Sequence, residues 1–506
     1  MSAVPRYFQT IRRICVGSLV SGCVALSGAA GLAQSSEPLP VSVNWNETLL
    51  ALKTTPTLQV VVNPMLRRGS PVHDGAFAAL RSLGADYVRY VPWYPYPKLV
   101  VAELEAPTAT KTSWDFSLID PMTEDFFAAT KGHTTILNFS TIPAWMFKTP
   151  EPVPYPPDPN TVDVNYRART ALRDLSLREL TGYYSRLVSW YTQGGFTDEL
   201  GLRHESGHHY KIDYWEVFNE MEHHPTPKQY AEQYDAVVEA IRKVSPDTKF
   251  VALATGEADV KMFEYFLDHS HHHAGIPLDF ITYHFYARPT LEQTLDHWQY
   301  TMFDQADGFV LAVKFVEAMR KHLSPETKTA LDEVGTILPT DNTPEDSKEL
   351  IPAAYWNLSG AVYAYVFMES AQLGIDVVNE SQLVGYPSQF PSTSMVDWKD
   401  GSPNARYRVL QLLHDNLSAD DRLVDTDMDD ATDVAAQAFV SREERKLLLV
   451  NKRNWAIAVA LPGDFATGRA TTVDVTTGAQ PPVTKSFEGP RCVLQPFAVS
   501  LLVAAK

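Results

Sequence analysis

Cysteine is almost absent: of 506 residues only Cys15, Cys23 and Cys492 carry a thiol. A chain this poor in cysteine has no disulfide framework and must be held together by its core. Basic residues are also scarce, 43 Lys and Arg against 61 Asp and Glu, for a formal net charge of −18. That balance excludes nucleic acid and anionic membranes as partners, since both demand a basic face. Beyond the N-terminal region no run reaches the ~18 apolar residues that a membrane span needs. No glycine-rich phosphate turn follows the first β-like run, which continues Asn63-Pro64-Met65, so a nucleotide-binding sheet is not expected. HExxH-type spacing is missing as well. The histidines at 208–209, 223–224 and 269–273 fall in loop-like stretches, so neither a metal nor a cofactor is expected, and a metal-dependent hydrolase is the weaker reading.

Aromatic residues, by contrast, are plentiful: 10 Trp, 23 Tyr and 23 Phe. They suit a globular protein that stacks flat apolar faces, those of sugar rings included. Residues 1–33 read as a secretory signal, with Arg6, Arg12 and Arg13, an apolar run from Ile14 to Leu26, and Gly31-Leu32-Ala33 before Gln34. A secreted or periplasmic chain is therefore expected, and its charge falls from −18 to −21 because the signal holds three arginines and no acid. Val20-Ser21-Gly22-Cys23 resembles a lipobox, and anchoring at Cys23 is the alternative.

From Leu58 onward short β-like runs alternate with longer helical patterns, the signature of a parallel sheet with helical crossovers. The candidate strands are 58–63, 85–91, 133–139, 212–219, 249–252, 279–283, 327–332 and 374–379. Asp74 is expected to cap the first helix and Gly84 to end it. Residues 177–191 and 230–244 each carry an apolar helical stripe. The expected fold is α/β, a (β/α)8 barrel over 56–416 with its site at the C-terminal strand ends. Short alternating runs after Asn416 read as a β-sandwich built from 417–506 together with 41–55. The Pro-rich stretch 142–160 is a candidate wall of the site.

Chemistry gathers at the strand ends. The fourth run, YWEVFNE, delivers Asn219 and Glu220; the seventh, ALDEVGT, delivers Asp332 and Glu333; the second carries Arg89 and the sixth reaches His284 and Tyr286. Two carboxyl groups facing each other across a barrel mouth suit glycoside hydrolysis, one as acid and the other as nucleophile. Arg89 would keep the nucleophile ionised, and a second acid without a cation would stay protonated. Glu216 shares Glu220's face by period two and reads as the buried partner of a barrel cation. Trp93, Tyr96, Trp145 and Trp298 are candidate ring platforms, and Glu257 is a loop acid after the fifth strand.

YWEVFNE resembles the strand-four motif of the clan of retaining (β/α)8 glycosidases, and ALDEVGT resembles its strand-seven nucleophile motif. DFITYHFYA is similar to the strand-six motif of glycoside hydrolase family 39, the β-xylosidase and α-L-iduronidase family, as is ILNFSTIPAWM to its third strand. The resemblance implies Glu220 as acid/base, Glu333 as nucleophile, Asn219 on the sugar 2-hydroxyl, and Arg89, His284 and Tyr286 around the nucleophile. It implies a secreted retaining hydrolase of xylose-, arabinose-, galactose- or uronic-acid-containing glycans. Two departures stand out: Met221 replaces the proline that usually follows the Asn-Glu pair, and GIDVVNESQL lacks a tryptophan common in the eighth strand. A carbohydrate-binding protein that has lost turnover is the alternative they suggest.

Overall fold

The computed structural model describes residues 37–163, 170–221, 223–342, 351–385, 390–428 and 431–506. The expected signal and Cys23 lie outside them. Eight parallel strands close into a barrel: Thr55–Val61, Val88–Val91, Thr135–Leu137, Tyr214–Glu216, Lys249–Thr255, Phe280–Ala287, Lys328–Thr336 and Val377–Glu380. A helix follows each strand, beginning with His73–Leu83 and ending with Ala405–Asn416. Every strand is nearly or wholly buried, which is why each reads as an apolar run and not as an alternation.

The helices obey their local signals with one exception. Gly84 closes the first helix at φ 62, a conformation that glycine adopts without strain, but Asp74 sits in its first turn and caps nothing. Thr226 and Gln229 form a capping box that starts the helix Pro227–Val244 directly after the fourth-strand loop, a device typically worth about 1 kcal/mol. The stripe Leu180, Tyr183, Tyr184, Leu187, Val188 and Tyr191 is buried, as its spacing predicts.

Side chains inside the barrel change character along its axis. At the N-terminal end Ile136, Tyr214, Val251, Phe280, Ala330 and Val377 form an apolar floor. Two residues further along several strands the same inward face carries Gln59, Arg89, Asn138, Glu216, Thr282, Asp332 and Asn379, all buried. A polar layer on an apolar plug places Arg89 and the buried carboxyl groups Glu216 and Asp332 towards one mouth.

Nine further strands form the accessory sheet, in the order Val483–Glu488, Thr467–Val473, Val499–Ala505, Glu444–Asn451, Val434–Val440, Arg422–Met428, Leu39–Ala51, Ile457–Ala460 and Arg491–Leu494. The N-terminal strand lies inside this sheet, antiparallel to Arg422–Met428 and parallel to Ile457–Ala460. Leu447, Leu449, Leu502 and Val459 build the sandwich's own core, while Leu448, Val450, Leu501 and Val499 join the barrel's. The strand Glu444–Asn451 is thus buried on both faces. The architecture is a TIM barrel with an accessory β-sandwich.

Candidate active site

The fourth strand is shorter than its sequence predicts. It stops at Glu216, and Asn219 and Glu220 stand in a turn beyond it. Phe218 at φ 67, Glu220 at φ 46 and Met221 at φ 31 are all left-handed without being glycine. Each such residue costs about 1–3 kcal/mol, and the surroundings hold it: Glu220 N–H donates to the Ala254 carbonyl at 2.9 Å, and Asn138 Nδ2 donates to the Phe218 carbonyl at 2.9 Å. Met221 therefore occupies a backbone that proline, fixed near φ −65°, cannot adopt. At this position the chain departs from the motif it resembles in backbone as well as in residue.

A bulge places the second carboxylate. On the seventh strand Leu331 pairs with Tyr283 and Glu333 with His284, so Asp332 is the extra residue. Two consecutive acids thereby reach the same interior, which a regular strand would send to opposite faces.

Arg89 joins these elements. Fully buried, it donates to Glu216 at 2.5 Å, Gln59 at 2.6 Å, Asn219 Oδ1 at 2.6 Å and Glu333 Oε1 at 2.7 Å, and lies 3.3 Å from Asp332. One guanidinium thus neutralises part of the charge of three carboxylates. Burial pushes the Glu216 carboxyl up to about 7 against the pull of Arg89. At Asp332 burial acts in the same direction, but Arg89 and His284 outweigh it and hold the group well below the usual carboxylate range.

His284 is the second cation. Its Nδ1 lies 3.1 Å from Glu220 Oε1 and 3.5 Å from Glu333 Oε2, and its Nε2 lies 3.6 Å from Asp332. Burial favours the neutral ring, yet Glu333 and Asp332 raise its affinity for a proton well above the ordinary histidine value. This corrects one expectation: Glu220 does have a cation beside it. Burial opposes its charge, but the hydrogen bond and charge of His284 hold its carboxyl below the usual value, although the side chain is 38% exposed at the mouth.

Tyr286 donates its hydroxyl to Glu333 Oε2 at 2.6 Å. Burial, then the charge of Glu333, keep it a phenol far above pH 10. The ligand-type atoms of Glu220, His284 and Glu333 all lie within 4.8 Å of one another.

These groups border a cleft with about 490 Å³ of empty space, walled among others by Trp93, Asn219, Glu220, Tyr286, Arg288, Glu333, Gln382 and Phe390. Residues 169–307 match the family model described as "Alpha-L-arabinofuranosidase 1 domain". No curated protein sequence matches the chain. Among solved structures the chain is similar to the GH51 arabinofuranosidase from Xanthomonas axonopodis pv. citri, with 12% identity, a TM-score of 0.61, and coverage of 92% of this chain and 99% of that one. It is also similar to a family 51 alpha-L-arabinofuranosidase from Bifidobacterium longum, with 12% identity and a TM-score of 0.59, covering 93% of this chain and 100% of that one. A GH30 endoxylanase from Clostridium papyrosolvens gives 12% identity and a TM-score of 0.56, with 92% and 100% covered. The shared property is the fold, a (β/α)8 barrel with a β-sandwich.

The structure brings Asn219, Glu220, Tyr286, Glu333 and Trp93 to the cleft wall, with Arg89 and His284 directly behind them. Trp145 is not there. It lines a separate groove with Phe147, Lys148 and Tyr155, its indole N–H donates to the Glu103 carbonyl at 2.9 Å, and Arg173 covers one ring face. Trp298 packs edge-on against Tyr355, Tyr96 is buried, and Glu257 is outside the cleft wall. The neighbouring Gly256 is the closer group, since a Cβ there would meet Glu220 Oε1 at 3.2 Å. The paired histidines have separate partners, His223 with Gln233 and His272 with Asp235.

Gln59, Arg288 and Gln382 are site groups that motif reasoning missed, and Asp332, seen at its strand end, was given no part in the site. A polar residue inside an apolar run was the available signal for Gln59, in TLQVVV, and for Asp332, in ALDEV.

Proposed function

We propose that the chain is an exported retaining glycoside hydrolase in which Glu333 is the nucleophile and Glu220 the acid/base. The observation that carries this reading is the approach of the two carboxylates within 4.8 Å across an open cleft. Retaining enzymes hold theirs about 5–5.5 Å apart, while inverting ones leave room for a water at about 6.5–9.5 Å. Arg89 and Tyr286 each bind one oxygen of Glu333 and fix its attack geometry. Glu220 is held ionised beside protonated His284, so the ring's Nδ1 proton passes to Glu220 and from it to the leaving oxygen, and Glu220 then takes one back from water as the glycosyl-enzyme is hydrolysed. Asn219 gives its amide oxygen to Arg89, which leaves its NH2 to a substrate hydroxyl.

For substrate we infer a pentoside. The arabinofuranosidase family match over 169–307 supports α-L-arabinofuranosides, and the strand-three and strand-six resemblance to family 39 supports β-xylosides. Export rests on the apolar run 14–26 behind the early arginines. The test is the configuration of the first-formed sugar, followed by NMR on aryl α-L-arabinofuranoside and aryl β-xyloside. Retention is expected, with turnover abolished by Glu333→Ala and spared by Glu220→Ala only for good leaving groups. An inverted product, or wild-type rates in both variants, would overturn the assignment.

A further inference from the structure

Ser381 follows the eighth barrel strand and is only 1% exposed, so it touches the active site through other side chains. Its hydroxyl lies 2.6 Å from Gln59 Nε2 and 2.5 Å from the Tyr286 hydroxyl. Gln59 Oε1 in turn accepts from Arg89 Nη1, the nitrogen that also donates to Glu333 Oε1. With Tyr286 bound to Glu333 Oε2, the contacts close a ring: Arg89, Gln59, Ser381, Tyr286, Glu333 and back to Arg89.

Only one sense of donation satisfies that ring. Arg89 can only donate, so it draws the Gln59 carbonyl oxygen towards itself and turns the amide nitrogen towards Ser381. The Ser381 oxygen, already accepting, gives its proton to Tyr286. Tyr286 then gives its own to an ionised carboxylate, which can only accept. The backbone of Ser381 is anchored too: its N–H donates to the Val334 carbonyl at 2.9 Å, and its carbonyl accepts from Arg406, which is paired with Glu380.

We propose that Ser381 is a positioning residue, whose hydroxyl holds the Tyr286 proton on Oε2 of Glu333 and so presents the nucleophile in one orientation. Removing the serine hydroxyl frees the tyrosine rotor while every group that touches substrate stays in place. This rests on the glycosidase reading above.

The experiment is the pH profile of kcat/KM on an aryl glycoside for wild type, Ser381→Ala, Ser381→Cys, Ser381→Thr, Tyr286→Phe and the Ser381→Ala/Tyr286→Phe double variant. Ser381→Ala removes two buried hydrogen bonds, from Gln59 and to Tyr286, and is expected to lower kcat/KM about tenfold or more, with KM nearly unchanged. Its acid limb moves to higher pH, because the ionised nucleophile has lost a donor. Ser381→Cys, similar in shape but a weak donor, moves it the same way and guards against a fold defect in the alanine variant; Ser381→Thr restores the wild-type limb. In the Tyr286→Phe background the alanine change moves the acid limb no further. An unmoved acid limb in both the alanine and cysteine variants, or a full further loss in the Tyr286→Phe background, overturns the proposal. Those outcomes leave the glycosidase reading intact, whereas full turnover by Glu333→Ala would remove both.

Discussion

In the sandwich, Val434–Val440 and Glu444–Asn451 pair residue for residue from Val434 with Asn451 to Val440 with Arg445, without a shift. In the barrel, three elements bordering the cleft break step: the turn after Glu216 is left-handed, the fifth strand slips between Ala252 and Thr255, and the seventh bulges at Asp332. The two sheets come from one chain and pack on one another, so the irregularity is not poor folding. Beside the cleft the irregularity aims side chains off the strand's own alternation, whereas the sandwich's own slips, between Asn44 and Thr48 and between Thr48 and Ala51, involve no residue of the cleft wall.

Substitutions on the two sides of that contrast should behave differently. The largest effect is expected for Arg89→Met, which strands Glu216, Asp332 and Glu333 without their shared cation; it should destabilise the fold by about 3–5 kcal/mol in chemical denaturation and abolish turnover. Leu449→Ala in the sandwich core should also cost about 2–5 kcal/mol, yet leave kcat/KM per folded molecule unchanged. An activity loss there in folded protein would erase the distinction. Met221→Pro introduces the residue of the resembled motif but not a compatible backbone, and should lower kcat/KM about tenfold or more by displacing Glu220. A gain in activity would show that the left-handed turn is not needed.

The smallest effect concerns Asp341, which ties Ser392 to the cleft rim and whose carboxyl burial pushes up to about 7. A raised folded-state value means that the native chain holds a proton which the unfolded chain has released, so stability falls as pH rises from about 4 to about 7. Asp341→Asn keeps the acceptor and should flatten that fall; melting temperatures between pH 5 and 8 would show it.

The same contrast marks what was legible in the sequence. Parallel strands buried on both faces are apolar runs whatever their register, so all eight barrel strands are legible in the sequence. Where they end could not, because a bulge or a left-handed turn leaves no compositional trace. The polar groups at the strand ends were visible, but their wiring was not: that Glu220 faces the charge of His284, and that Gln59 and Ser381 serve Arg89 and Tyr286, follows only from closing the barrel. Trp145 lines a different groove from the cleft, as an aromatic at a rim packs against loops as readily as against a ligand.

The strand Glu444–Asn451 carries one further lesson. Its leucines alternate between two cores, so the barrel's outer surface under Leu448, Val450 and Leu501 is finished only by the last ninety residues of the chain. A chain cut after Asn416 would leave that surface bare to water, an aggregation-prone wound and not a minimal enzyme. The tail is thus not a module that could be traded between proteins. Nicking or nonsense mutation far downstream of Glu333 should silence the protein as surely as changing the glutamate itself.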